Sequence, residues 1–259
     1  MDIAAQRDLA RHLATLRRDG RQQSGLEARL VPPDPATAYR VAGLVADELG
    51  WPVLGWKIAA FKDEMQRALR TDAPIYGRTF FVRETPLTVV HARLASPIPE
   101  VEYQARLDAD LPPRAKPYSV EEVTEAVASL HPGLELAECR FIHDAAFPPL
   151  PAILADGAGS GTIVYGPAIE DWKHRDIAGQ NVTLSSDGRL RRQGTAAAAL
   201  GHPMAPLAWL ANELSRTGVG MKAGQMVSTG TLTGMLAPRP GETYVADFGP
   251  FGSVTVAFE

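Results

Sequence analysis

Two glutamates one residue apart, Glu100 and Glu102, lie in the run Pro99-Glu100-Val101-Glu102-Tyr103. In a strand, side chains at i and i+2 point to one face, so the two carboxylates meet there and repel unless a cation sits between them. Taken alone, the pair also fits a solvent-facing strand edge, the usual place for charged residues. Glu135 is a different signal. It is wedged between leucines in Leu134-Glu135-Leu136-Ala137-Glu138-Cys139-Arg140-Phe141, where an ionised carboxylate is costly unless it pairs with a cation such as Arg140 or binds a metal. Glu100, Glu102 and Glu135 together would make an all-oxygen site suited to Mg²⁺ or Mn²⁺ and unsuited to a soft metal. Lys57 stands among apolar residues in Gly55-Trp56-Lys57-Ile58-Ala59-Ala60. Such a lysine can serve as acid, base or anion clamp, or its head can snorkel to the surface.

Other reactive residue types read as structural. The glycine-rich stretch Gly157-Ala158-Gly159-Ser160-Gly161 is followed by a β-rich run, whereas a dinucleotide cradle opens a helix, so a loop is expected. Cys139 has no activating partner in the sequence and reads as a structural thiol. Asp108 and Asp110 precede Leu111-Pro112-Pro113 and read as a solvated loop, and His202 reads as a helix-entry residue.

The elements that must carry these residues fall into two textures. Leu9, Leu13 and Leu16 repeat at helical spacing; Asp34-Pro35 caps and opens a second helix, which Gly50-Trp51-Pro52 stops. From about residue 86 short β-rich runs dominate: Thr88-Val89-Val90, Val101-Glu102-Tyr103, Gly161 to Tyr165, Ser253 to Val256, and a hairpin turning at Asp187-Gly188. Two helices interrupt them. One opens with the capping box Ser119-x-x-Glu122 and is expected to end at His131-Pro132-Gly133; the other runs from about Pro203 to Thr217. The division is therefore a helical part over residues 1–85, packed on the core, and a strand-rich part over 86–259.

With 259 residues, 45% hydrophobic and 22% charged, the chain has ample core to fold without staples. Its single cysteine excludes an intrachain disulfide and a cysteine zinc cluster, and a reducing, cytoplasmic setting is expected. A net charge of −4 lacks the basic stripe that nucleic acid demands. The acidic start Met1-Asp2 does not suit a signal peptide, and no apolar run is long enough for a membrane span.

In order along the chain, several stretches resemble the hydratase and decarboxylase branch of the fumarylacetoacetate hydrolase superfamily. They are Gly55-Trp56-Lys57-Ile58, Asp72-Ala73-Pro74-Ile75-Tyr76-Gly77, Pro99-Glu100-Val101-Glu102, Leu134 to Phe141, Ala155-Asp156-Gly157, Gly201-His202-Pro203, Ala208-Trp209-Leu210-Ala211-Asn212 and Ala223 to Gly230. The resemblance implies an α+β, mainly β fold, a mixed β-sandwich roll with an N-terminal helical part, assembled as a homo-oligomer. It also implies a divalent cation, Mg²⁺ or Mn²⁺, held by Glu100, Glu102 and Glu135. Lys57 and Asp156 would be catalytic, and Lys57, Ile75, Arg140 and Ser160 would line the substrate. The expected activity is hydration of a small 2-hydroxy-2,4-dienoate to a 4-hydroxy-2-oxo acid, in breakdown of aromatic-ring cleavage products. The alternatives are decarboxylation of a 2-oxo-3-enedioate and silent binding of a 2-oxo acid. Three positions depart from the family pattern: Ile75 replaces an acidic residue, Gly157 replaces an asparagine, and Gly159 replaces a serine, with Ser160 one place later. The loss of polar groups points to a bulkier or less polar substrate.

Overall fold

The computed structural model describes residues 1–259. Helix α1 (Ile3–Asp19) begins where the Asp2 carboxylate accepts the Ala5 N–H at 2.8 Å, and its apolar stripe buries Leu9, Leu13 and Leu16. Helix α2 (Pro35–Leu49) follows the Asp34 cap, whose carboxylate accepts the Thr37 N–H at 2.7 Å, and ends at Gly50 in the left-handed conformation. The first 85 residues also supply β1 (Gly55–Ala59), the short α3 (Asp63–Leu69), β2 (Ile75–Thr79) and β3 (Phe81–Glu84). Next come β4 (Leu87–Val89), β5 (Ile98–Leu107), α4 (Val120–Glu125), β6 (Val127–Ala137), α5 (Leu150–Ala155) and β7 (Thr162–Tyr165). The chain closes with β8 (Val182–Ser186), β9 (Arg189–Gly194), α6 (Ala196–Leu200), α7 (Met204–Arg216), β10 (Met226–Ser228), β11 (Thr243–Asp247) and β12 (Ser253–Phe258).

Seven strands form one sheet in the order β2-β1-β10-β5-β6-β7-β3, and five form a second in the order β4-β12-β11-β8-β9. A large apolar cluster joins them, with Val101, Tyr103 and Leu134 from the first sheet meeting Leu184, Tyr244 and Val256 from the second and Leu207 and Leu210 from α7. A smaller cluster gathers α1, α2 and α5 around Phe80, Phe141 and Ile75. Helices rival strands in extent, so the mainly β expectation is corrected to a mixed α+β fold. The stretch before residue 85 is not purely helical either, because β1, β2 and β3 belong to the larger sheet.

A second correction concerns the helix that the Ser119 capping box opens. Both hydrogen bonds of the box form, yet α4 stops at Glu125, and His131-Pro132-Gly133 lies inside strand β6. The cap fixes a start and carries no information about length. Pro132 is tolerated because its backbone turns toward β7 where pairing has already ended at Gly133–Tyr165, and there its carbonyl accepts the Gly166 N–H.

Alternation along paired strands sorts the larger sheet into two chemically distinct faces. Trp56, Ile58, Val101, Tyr103, Leu134, Leu136 and Val227 point into the large apolar cluster. The register places Lys57 beside Ser228, Ser228 beside Gln104, Glu100 beside Glu135, and Glu102 beside Gly133. All the polar members of these pairs therefore share the opposite face.

Candidate metal centre

Glu100 and Glu135 are direct cross-strand neighbours on β5 and β6, and Glu102 is one pleat along. Each of the three offers an oxygen lying within 4.8 Å of the others, and all three residues are buried. Neither carboxylate oxygen of Glu135 has a hydrogen-bond partner. The Glu102 Oε2 accepts from the Ser228 hydroxyl and from the Gly230 N–H at 2.7 Å. Burial pushes the Glu135 carboxyl up to about 7, with Lys57 opposing and Glu100 reinforcing that rise. Glu100 is likewise raised by burial against the pull of Lys57, and Glu102 is raised well above the usual carboxylate range by burial and by its two acidic neighbours. A buried, unpartnered Glu135 among converging carboxylates is expensive as bare charge, and an all-oxygen donor set of this kind fits a hard divalent cation.

Lys57 settles between its two sequence readings by burial. Only 3% of it is exposed, so it does not snorkel, and it is the cation that acts on Glu100 and Glu135. The turn after α5 passes over it: a Cβ added at Gly159 would lie 3.7 Å from Lys57 Nζ.

The remaining expected site residues occupy this turn and its supports. Asp156, 1% exposed, accepts the Arg140 backbone N–H at 3.0 Å and Arg140 Nε at 2.9 Å. Arg140 thus pairs with Asp156 and leaves Glu135 without an arginine partner. Ser160 is fully buried; its hydroxyl donates to the Arg78 carbonyl at 2.7 Å and lies 3.2 Å from Thr79 Oγ1. Ile75 sits at the start of β2, on the Lys57 face by register but within the smaller apolar cluster. His202 is the expected helix-entry residue, its Nδ1 accepting the Met204 N–H at 3.2 Å. Cys139 is a half-buried free thiol that burial pushes up to about 11, away from the thiolate form a nucleophile needs.

Three contributors escaped the sequence reading. Arg17, on α1, donates to the carbonyls of Asp156 at 2.7 Å and Ser160 at 3.1 Å, bracketing the turn beside Lys57. Its only local signal is position: it follows Leu13 by four residues on the apolar stripe. Gln104 continues the Glu100, Glu102 alternation, so its face was readable. Ser228 was not, since only the pairing of β10 between β1 and β5 brings it there.

Residues 60–258 match the fumarylacetoacetate (FAA) hydrolase C-terminal family. The chain is 29% identical over 257 residues to the 2-keto-4-pentenoate hydratase of Burkholderia vietnamiensis, covering 96% of both chains. It is 31% identical over 217 residues to the 2-keto-4-pentenoate hydratase of Paraburkholderia xenovorans, covering 82% of this chain and 78% of that one. The 4-oxalocrotonate decarboxylase from Pseudomonas putida G7, solved in complex with magnesium and adipate, superimposes with a TM-score of 0.90 at 23% identity over 100% of this chain and 99% of that one. No helix of this chain is long and apolar enough to cross a membrane. With the three carboxylates, the buried lysine and these likenesses together, the chain belongs to the fumarylacetoacetate hydrolase family.

Proposed function

We propose that this protein is a lyase dependent on a divalent metal, adding water to a 2-hydroxy-2,4-dienoate to give a 4-hydroxy-2-oxo acid. The observation that carries the reading is the buried Glu100, Glu102 and Glu135 cluster with Lys57 as its adjoining cation. Hydratase relatives at 29% and 31% identity support the reaction class. Glu100, Glu102 and Glu135 would hold Mg²⁺ or Mn²⁺. A cation held there supplies Lewis-acid stabilisation of negative charge developing on a 2-oxo acid.

The chain's own residues supply the rest. Three carboxylates outweigh one divalent cation by a single negative charge, so an anionic substrate needs a further positive group, and Lys57 provides it. Protonation at the diene terminus leaves an α,β-unsaturated 2-oxo acid, whose electron-poor carbon then takes water. Lys57 is the group placed to clamp the substrate carboxylate or to pass that proton. Asp156, with Arg140 and Arg17, holds the turn over Lys57, and Ser160 ties the end of that turn to β2. Ile75 and Gly159 add no polar group, which favours an alkyl-substituted substrate over the bare pentadienoate.

A decarboxylase acting on a 2-oxo-3-enedioate needs a cation for the second carboxylate. Arg17 and Arg140 are committed to Asp156 and its turn and do not offer one. The hydratase relative matches 96% of this chain against 82% for the decarboxylase from Pseudomonas putida, so the hydratase reading is preferred. Homo-oligomeric assembly belongs to the same proposal and is checked by light scattering. The deciding assay supplies 2-hydroxypenta-2,4-dienoate and longer alkyl homologues with Mg²⁺ or Mn²⁺ and follows loss of dienol absorbance. In D₂O the product should carry deuterium at the protonated carbon. Release of CO₂ from 2-oxohex-3-enedioate without hydration of any dienoate would assign the decarboxylase, and inactivity toward both would assign a silent 2-oxo acid binder.

A further inference from the structure

Glu102 is the one carboxylate of the three that the protein itself orients by hydrogen bonds. Its Oε2 receives the Ser228 hydroxyl and the Gly230 N–H. The Ser228 hydroxyl has a single proton, and Glu102, once ionised as cation binding requires, can only accept. That proton therefore goes to Glu102, and the contact at 2.9 Å between Gln104 Nε2 and Ser228 Oγ must run from the amide to the hydroxyl. Polarity thus runs one way, from Gln104 through Ser228 to Glu102. Oε2 is doubly donated, which leaves Oε1 for a cation.

The backbone is shaped around this chain of donors. Gly230 reaches Glu102 with φ +106, a conformation that L side chains rarely adopt. Gly133, directly across the ladder from Glu102, makes room for the glutamine: a Cβ there would stand 2.3 Å from Gln104 Cγ and 2.9 Å from its Nε2. Gln104 is fully buried and cannot swing away. A glycine at this place in a long central strand weakens the strand, and the space it leaves is filled by the donor side chain.

We infer that Gln104 and Ser228 are positioning residues that set divalent-metal affinity by fixing which oxygen of Glu102 faces the ion, with Gly133 as the space that permits it. The inference rests on the metal-site reading above. Groups that orient a ligand from behind typically change metal affinity 10- to 100-fold when removed. The test is Mn²⁺ binding to the full chain, followed by the electron paramagnetic resonance of free Mn²⁺, with Mg²⁺ competition. Ser228→Ala and Gln104→Leu should each weaken binding by about 10- to 100-fold, and Gly133→Ala should weaken it by displacing Gln104. The double variant should lose little more than Ser228→Ala alone, because Gln104 acts through Ser228. Metal-free melting curves of the single variants check that each is folded, and at least Ser228→Ala, which removes one atom, should be. Parental affinity in Ser228→Ala and Gln104→Leu, or losses that simply multiply in the double variant, would overturn the inference while leaving the metal site standing. Failure of the unaltered protein to bind Mn²⁺ would instead overturn the metal-site reading, and this inference with it.

Discussion

Glu135 carries two buried oxygens without a donor, and its carboxyl is held up at about 7. A folded value above the unfolded one means that the metal-free protein binds more protons than its unfolded chain between about pH 4.5 and 7. Stability without metal is therefore greatest below that window and falls as pH rises through it. Glu100 and Glu102, raised in the same direction, add to the fall. Thermal melts of metal-free protein should show Tm dropping from pH 5 to 8, and Mg²⁺ or Mn²⁺ should restore more of it at the higher pH, where protons no longer compete. A Tm that rises over the same range in the absence of metal would contradict the assignment of these groups. Lys57→Met keeps the apolar stem and removes the charge. Turnover should fall by roughly 10²- to 10⁴-fold, the usual range for a positioned proton-transfer group. Loss of stability with activity intact would make Lys57 structural.

At the scale of elements, the turn between α5 and β7 is held by two arginines from separate parts of the chain. Arg17 arrives from α1 and Arg140 from the segment after β6, and Arg140 meets Asp156 in a buried ion pair. Removing one partner of such a pair leaves an uncompensated buried charge, so Asp156→Ala should cost about 3–5 kcal/mol in urea unfolding. Arg17 also lies 3.7 Å from the Asp156 carboxylate, so Asp156→Leu with Arg140→Met still leaves one buried guanidinium unpaired and should recover only part of that loss. If Asp156 also handled protons of the substrate, Asp156→Asn would abolish turnover even in the molecules that remain folded, so turnover per folded molecule, read beside the urea midpoint, separates the roles. The turn itself needs its glycines: Gly157 and Gly159 have φ of +89 and +77 while passing close to Arg17 and Lys57.

Over the whole molecule, the larger sheet crosses the boundary at residue 85, with β1 paired between β2 and β10 and β3 paired to β7. The helical part and the strand-rich part therefore share structure and should unfold together. Leu13, fully buried in the smaller cluster, is far in sequence from the carboxylates. Leu13→Ala should destabilise by about 2–5 kcal/mol through transfer and cavity terms. It should lower the midpoint of one cooperative transition and leave the metal affinity of folded protein unchanged. Two resolved transitions, with only the first moved, would show that 1–85 and 86–259 fold as separate units.

Local chemistry alone was enough for several features. Asp34-Pro35 and Gly50 bound α2, Asp187-Gly188 turns the hairpin between β8 and β9, and the alternation at Glu100 and Glu102 puts both carboxylates on one face. Each depends on a side chain acting on its own backbone or on a period of two, so neighbours in sequence suffice. The leucines around Glu135 announced a carboxylate needing compensation, without saying by what. Tertiary structure decided the rest. It paired Glu135 with Glu100 and Arg140 with Asp156, made Val127–Ala137 a strand although a capping box stands just before it, and brought Ser228 and Arg17 to the site. These are matters of register and of contact between distant segments, settled when β5 finds β6 and β10 slots beside β1. No short-range preference encodes them, because a shift of one residue would satisfy the same propensities while turning every carboxylate to the other face.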